Sequence, residues 1–249
     1  MKLEADRGGE GPRLLVLLHG LGATRHVWNP LLAGGRWRDS WLAPDLRGHG
    51  SSPHATNYGL GQYAADVAEL VQSAGAWEEI VVLGHSMGGA VALALASGWF
   101  GIQPSRVFGL GIKVAWSEEE LAGMRKLAAT PARSFETKDD AVARYLKVSG
   151  LAGLIAPNSE EAAAGVAQSG AGWRLAFDPA TASIGRPPMR ELLAAARAPI
   201  HLARGETDAL VTHDQLAAFD ADATDLRGGH NVMVETPAAV WDWIESKSA

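Results

Sequence analysis

Gly84-His85-Ser86-Met87-Gly88-Gly89 sets a serine between glycines two positions to either side, directly after the apolar run Ile80-Val81-Val82-Leu83. An apolar strand feeding such a turn, with a small-residue helix after it, holds the serine in a strained backbone conformation with Oγ exposed above a sheet. The flanking glycines are needed because a Cβ at either place would clash in so tight a turn. The chemistry this suits is attack on a carbonyl carbon. A helix from Met87 to Ser97 would aim its free N–H groups and positive dipole end at the developing oxyanion. A serine nucleophile also needs a base, and the base needs a partner. His230, in Gly228-Gly229-His230-Asn231, sits on a Gly-rich loop before the last helix and suits the base that later protonates the leaving group. Asp208, in Gly205-Glu206-Thr207-Asp208, suits the carboxylate that accepts the Nδ1 proton of that histidine and fixes its tautomer. Glu206 and Asp214 are its rivals. Glu206 is expected to face solvent near the turn, and Asp214 to occupy the first turn of a helix from His213, where the dipole favours an acid. In His19-Gly20-Leu21-Gly22 the glycines let backbone pass close to an acyl group, so the Leu21 N–H would join that of Met87 as a second oxyanion donor.

Those residues must be carried by strand ends on one edge of a sheet. Leu14 to Leu18, Trp41 to Pro44, Ile80 to Leu83, Arg106 to Ile112, Pro199 to Ala203 and Thr224 to Leu226 are short apolar runs expected as strands. Helical spacing spans Leu60 to Ala74, Met189 to Arg197 and Pro237 to Lys247, the last with proline suited to a first turn. Alternating strands and helices imply a parallel sheet covered on both faces, with ligands bound beyond the strand C-terminal ends. From Trp116 to Pro188 the pattern changes to helices and loops without a convincing strand. Ser117 to Glu120 opens one helix as a capping box, and Asp139–Ser149 and Glu160–Gln168 are expected as two more. The expected organisation is therefore a core of residues 1–115 and 189–249 with a helical cap at 116–188, and no internal repeat or linker.

The bulk properties exclude several classes. The chain has 249 residues, 47% of them hydrophobic, enough for a large core in one domain. A net charge of −6 argues against nucleic acid or an anionic membrane as partner, and there is no cysteine to supply a disulfide, a thiolate or a nucleophile. Charges in Met1 to Asp6 stand where a signal peptide would be apolar, and no stretch is long enough to span a bilayer. The expectation is a cytoplasmic, soluble protein acting on a small molecule, with its oligomeric state open. The other seven histidines, at positions 19, 26, 49, 54, 85, 201 and 213, are expected to be structural or at the surface. His19, His49 and Asp45 fit no common metal-ligand spacing, so no metal is expected.

With Asp45-Leu46-Arg47-Gly48-His49-Gly50-Ser51-Ser52, the motifs above resemble the α/β-hydrolase fold family over nearly the whole chain, and small bacterial esterase-like members most of all. The order Ser86, Asp208, His230 is that family's triad order. The resemblance implies a mostly parallel eight-stranded sheet with a small helical cap, a triad of Ser86, Asp208 and His230, backbone amides of Leu21 and Met87 as oxyanion hole, and no cofactor. It leaves the Asp45–Ser52 loop as a structural hallmark. A serine at residue 86 argues against the haloalkane dehalogenases and epoxide hydrolases of the family, which place aspartate there.

The expected reaction is cleavage of a small or medium carboxylic ester through an acyl-enzyme. Carbon–carbon hydrolysis of ring-cleavage products is the rival, although that group tends to carry Asn before the serine and Trp after the histidine, where this chain has His85 and Asn231. Lactonase or perhydrolase chemistry stays open, and a non-catalytic ligand-binding module stands last. His85, Trp116, Trp173, Phe177 and Asn231 are the candidates for lining the substrate pocket. Lys113, at the end of the fourth strand, is expected to reach solvent, with an acidic substrate group as the alternative.

Overall fold

The computed structural model describes residues 1–247. Its strands are β1 (Ala5–Gly8), β2 (Arg13–Leu18), β3 (Ser40–Pro44), β4 (Glu79–His85), β5 (Arg106–Leu110), β6 (Ser134–Phe135), β7 (Val166–Ser169), β8 (Gly172–Leu175), β9 (Ile200–Gly205) and β10 (Thr224–Leu226). The helices are α1 (Asn29–Ala33), α2 (Leu60–Ala74), α3 (Met87–Ala96), α4 (Glu118–Ala128), α5 (Lys138–Val148), α6 (Glu160–Ala164), α7 (Met189–Ala195), α8 (His213–Ala217), α9 (Val232–Glu235) and α10 (Pro237–Ser246). No helix among the described residues is long and apolar enough to cross a membrane.

The main sheet has seven strands in the order β1-β3-β2-β4-β5-β9-β10, not the eight expected. All neighbours are parallel except β1, which pairs antiparallel with β3. The central strands are apolar throughout because both faces are covered. Successive side chains of β2 and β4 alternate between two cores. Leu14, Val16, Leu18 and Val82 face the core under α2 and α3. Leu15, Leu17, Val81 and Leu83 face the core that holds Trp28, Trp241 and Trp243. This two-residue period is what pleating imposes.

Strand order decides where the site forms. From β2 the chain passes outward to β3, then returns to lay β4 on the other side of β2. The connections beyond the C-terminal ends of β2 and β4 therefore diverge, which opens the crevice where ligands bind in sheets of this kind. His19–Gly22 and His85–Met87 are those two strand ends.

Between β5 and α7 the chain makes an excursion through α4, α5, α6, the turn Pro179–Ile184 and a second, three-stranded antiparallel sheet in the order β6-β8-β7. The expectation of helices alone is corrected here. Helix α6 stops at Ala164 instead of running to Gln168, and the next residue, Gly165, packs so closely on the Tyr145 ring that an added Cβ would stand 2.2 Å from it. The chain then turns extended into β7. Ser117, Thr137 and Ser159 accept hydrogen bonds from the N–H three residues on and so cap α4, α5 and α6.

Candidate active site

Ser86 joins β4 to α3 with φ 51° and ψ −116°, the one non-glycine residue at positive φ among the described residues. Such a conformation costs about 1–3 kcal/mol and persists only where the surroundings dictate it. Here they do. The Ser86 N–H donates to the Leu110 carbonyl of β5 at 2.9 Å, and α3 behind it is buried along its whole length. A Cβ on Gly84 would stand 2.3 Å from the Gly88 carbonyl oxygen, and one on Gly88 would stand 2.2 Å from that of Leu18. The elbow is thus clamped between two strands and its own helix. Met87, in the first turn of α3, carries one of the N–H groups for which a helix has no internal acceptor.

Asp208 and His230 meet on the loops after β9 and β10. The His230 Nδ1–H donates to Asp208 Oδ2 at 2.8 Å, and the Asp208 side chain is fully buried. Burial alone would raise the Asp208 pKa. The hydrogen bond and charge of His230, with the Leu210 N–H at 2.8 Å, outweigh it and hold the carboxyl below its usual range. Glu206 and Asp214 are exposed, and Asp214 does lie in the first turn of α8. Ser86 and His230 line one cavity together with Gly20, Leu21 and His85.

Three buried histidines hold this arrangement. The His19 Nδ1–H donates to the Gly20 carbonyl at 2.8 Å, while its Nε2 accepts from the Leu46 N–H at 3.0 Å. Because the peptide is trans, fixing the Gly20 carbonyl also fixes the opposed direction of the Leu21 N–H. His49 accepts from the Gly22 N–H at 3.1 Å and donates to the Arg47 carbonyl at 3.0 Å. His85 donates through Nε2–H to the carbonyl of His230 at 2.9 Å, which pins the loop bearing the imidazole. Burial lowers His19 to about 4 and His49 and His85 to about 3, so all three are neutral around pH 7. The Asp45–Ser52 loop is itself braced. Asp45 accepts from the Arg25 and Ser51 N–H groups and pairs with the Arg25 guanidinium, and Arg47 forms a buried two-point pair with Asp66 of α2.

The expected pocket residues divide. His85 and Asn231 line the cavity shared by Ser86 and His230, and Asn231 also donates to the carbonyls of Ser149 and Gly150. Trp116 lines a second cavity, which also reaches Leu21, Ser86 and Met87. Phe177 and Trp173 line neither. Phe177 is buried and bridges to His49, with the two rings stacked at 6.0 Å. Trp173, on β8, packs on the core and carries Lys138 over its ring at 5.6 Å. Aromatic character marked both, but it does not say which way a side chain in an insertion faces. Lys113 does not reach freely into solvent. Its ammonium meets Glu120 at 2.6 Å and the Leu210 carbonyl at 3.3 Å, tying β5 to α4 and to the Asp208 loop. Met124, Lys147 and Ile184 also line the two cavities. Nothing in their spacing marks them, because they come from three separate segments of the excursion.

A family model described as the alpha/beta hydrolase family matches residues 15–243. The chain belongs to the alpha/beta hydrolase family. Among curated relatives it is similar to the magnesium-chelatase 30 kDa subunit of Rhodobacter capsulatus, at 42% identity over 93 residues, 36% of this chain and 32% of that one. It is also similar to lipase LipV of Mycobacterium tuberculosis, at 37% identity over 90 residues, 36% of this chain and 34% of that one. The match thus spans about a third of each relative's length. In fold it is similar to the solved E-2-(acetamidomethylene)succinate hydrolase, with a TM-score of 0.81 at 22% identity over 98% of this chain and 94% of that one.

Proposed function

We propose that this alpha/beta hydrolase is a serine enzyme that cleaves a small or medium carboxylic ester through an acyl-enzyme. The carrying observation is the Asp208–His230 contact at 2.8 Å, with His230 lining one cavity together with the strained Ser86. His230 takes the Ser86 proton as Oγ adds to the carbonyl carbon, and Asp208 holds the imidazole in the needed tautomer and stabilises its charge. The Leu21 and Met87 N–H groups receive the oxyanion, each contributing ~2.7–4 kcal/mol to the transition state. His230 then protonates the leaving oxygen, and water, activated by the same imidazole, releases the acid. The excursion at 116–188 serves as the cap, since its residues Trp116, Lys147 and Ser149 complete the cavities around Ser86. The name of lipase LipV agrees with this class of reaction.

Labelling with a fluorophosphonate, followed by peptide mass spectrometry, tests the nucleophile: the adduct is expected on Ser86, and its absence overturns the reading. A panel of p-nitrophenyl esters beside a vinylogous diketone tests the bond. Turnover of the diketone with none of any ester would replace ester cleavage by carbon–carbon hydrolysis.

A further inference from the structure

Ser86 lies on the wall between two cavities, one almost wholly apolar and the other mixed. One, of about 160 Å³, runs past Met87 and Ala90 to Trp116, Met124 and Ile184 and is lined almost wholly by apolar groups. The ammonium of Lys113 borders it but is already engaged by Glu120 and the Leu210 carbonyl. The other, of about 460 Å³, is lined by His230, Asn231, Ser149 and Gly150 and by two charged side chains, Lys147 and Glu235. Glu235 accepts from the Gly229 N–H at 2.8 Å, so its carboxylate is turned to the loop before His230. Lys147, exposed at the end of α5, has no hydrogen-bond or ion-pair partner among the described residues.

The chemistry of the proposed reaction assigns the two sides. A leaving oxygen must come within about 2.6–3.2 Å of the imidazole that protonates it. His230 lines only the larger cavity, so the leaving group departs there and the acyl chain occupies the apolar one. The apolar cavity, about 160 Å³ against about 460 Å³, is also the smaller of the two and so takes the smaller group, a short acyl chain. We propose that this chain selects esters that join a short apolar acyl group, held between Met124 and Ile184, to a leaving group bearing an anion that Lys147 binds. This rests on the serine-esterase reading and names its substrate class.

The test uses the full chain and matched substrates: acetyl, butyryl and octanoyl esters of 3-hydroxybenzoate, and the same esters of 3-hydroxybenzamide, which differ in the charge of the leaving group. Butyryl is expected to exceed octanoyl in kcat/KM. The benzoate is expected to exceed the benzamide about fivefold, the scale of a partly exposed ion pair. Lys147→Glu should reverse that ratio, and Met124→Ala should shift the acyl-chain optimum toward longer chains while leaving the benzoate-to-benzamide ratio as it is. If esters turn over but the ratio ignores Lys147→Glu, or octanoyl esters win in the native chain, the assignment of the cavities is overturned. If Ser86 takes the fluorophosphonate label yet no ester turns over, the ester reading itself has failed and this proposal falls with it. Lys147 is exposed, so its charge reversal leaves the fold intact even where Met124→Ala does not.

Discussion

The two sides of the cleft around Ser86 are built differently. On the sheet side three buried histidines, His19, His49 and His85, each hold a backbone atom of a site loop, and Gly88 leaves no room for a methyl group. On the excursion side α4 buries only Leu121, the strands are two to four residues long, and Lys147 is exposed. The contrast assigns labour. Positioning to a fraction of an ångström, which the proposed acyl transfer would require, belongs to the over-determined side, while selection of substrate can be left to segments that tolerate change.

That contrast can be broken or sharpened by experiment. The largest effect is expected on the sheet side: Ser86→Ala should lower ester kcat on the order of 10⁶-fold, the scale seen when a serine nucleophile is removed. Asp208→Asn should cost about 10⁴-fold through the wrong tautomer, while Glu206→Gln and Asp214→Asn stay near the native rate. Equal losses from all three would remove Asp208 from its role. Acid should strike the same side. His19, His49 and His85 have lowered pKa values in the folded state, near 4, 3 and 3, so the unfolded chain binds protons that the native one refuses. Their contribution to stability is therefore complete above about pH 6.5 and is lost as pH falls toward 4, at ~1.4 kcal/mol per pH unit for each group. A unfolding midpoint that stays flat from pH 7 to pH 4 would contradict this. All eight histidines lie outside residues 116–188, so hydrogen exchange in acid should rise first in the core.

The smallest effects give the sharpest contrast. Gly88→Ala must push a methyl into the Leu18 carbonyl and should cost at least ~1–3 kcal/mol in urea unfolding. Gly123→Ala, in the interior of α4, meets nothing within 4 Å and should stabilise by roughly 0.5–1 kcal/mol. If both destabilise alike, the two sides are not built to different standards.

The same contrast explains how much was legible in the amino-acid order. Strands β2 and β4 announce themselves because burial on both faces demands unbroken apolar runs; Ser86 follows β4, Asp208 follows β9 and His230 follows β10. Strand β1 went unrecognised because Ala5-Asp6-Arg7-Gly8 forms a polar antiparallel edge, where only backbone pairing is needed. The strands of the excursion are too short and too rich in Ser, Gln and Gly to show a period of two. The eighth strand of the main sheet was implied by family likeness alone, and no run of residues stood behind it. The two-cavity division was equally invisible, since Met124, Lys147 and Ile184 come together only through the packing of the excursion.

One side-chain amide links the two sides. Asn231 follows His230 directly, and its Nδ2 spans to the carbonyls of Ser149 and Gly150 at the end of α5. It is a strut between the excursion and the loop that bears His230. A leaving group bulky enough to lift α5 would load that strut and tilt the imidazole beside it, so oversized substrates are penalised in turnover more than in affinity. The signature is a kcat that falls with leaving-group bulk while KM holds.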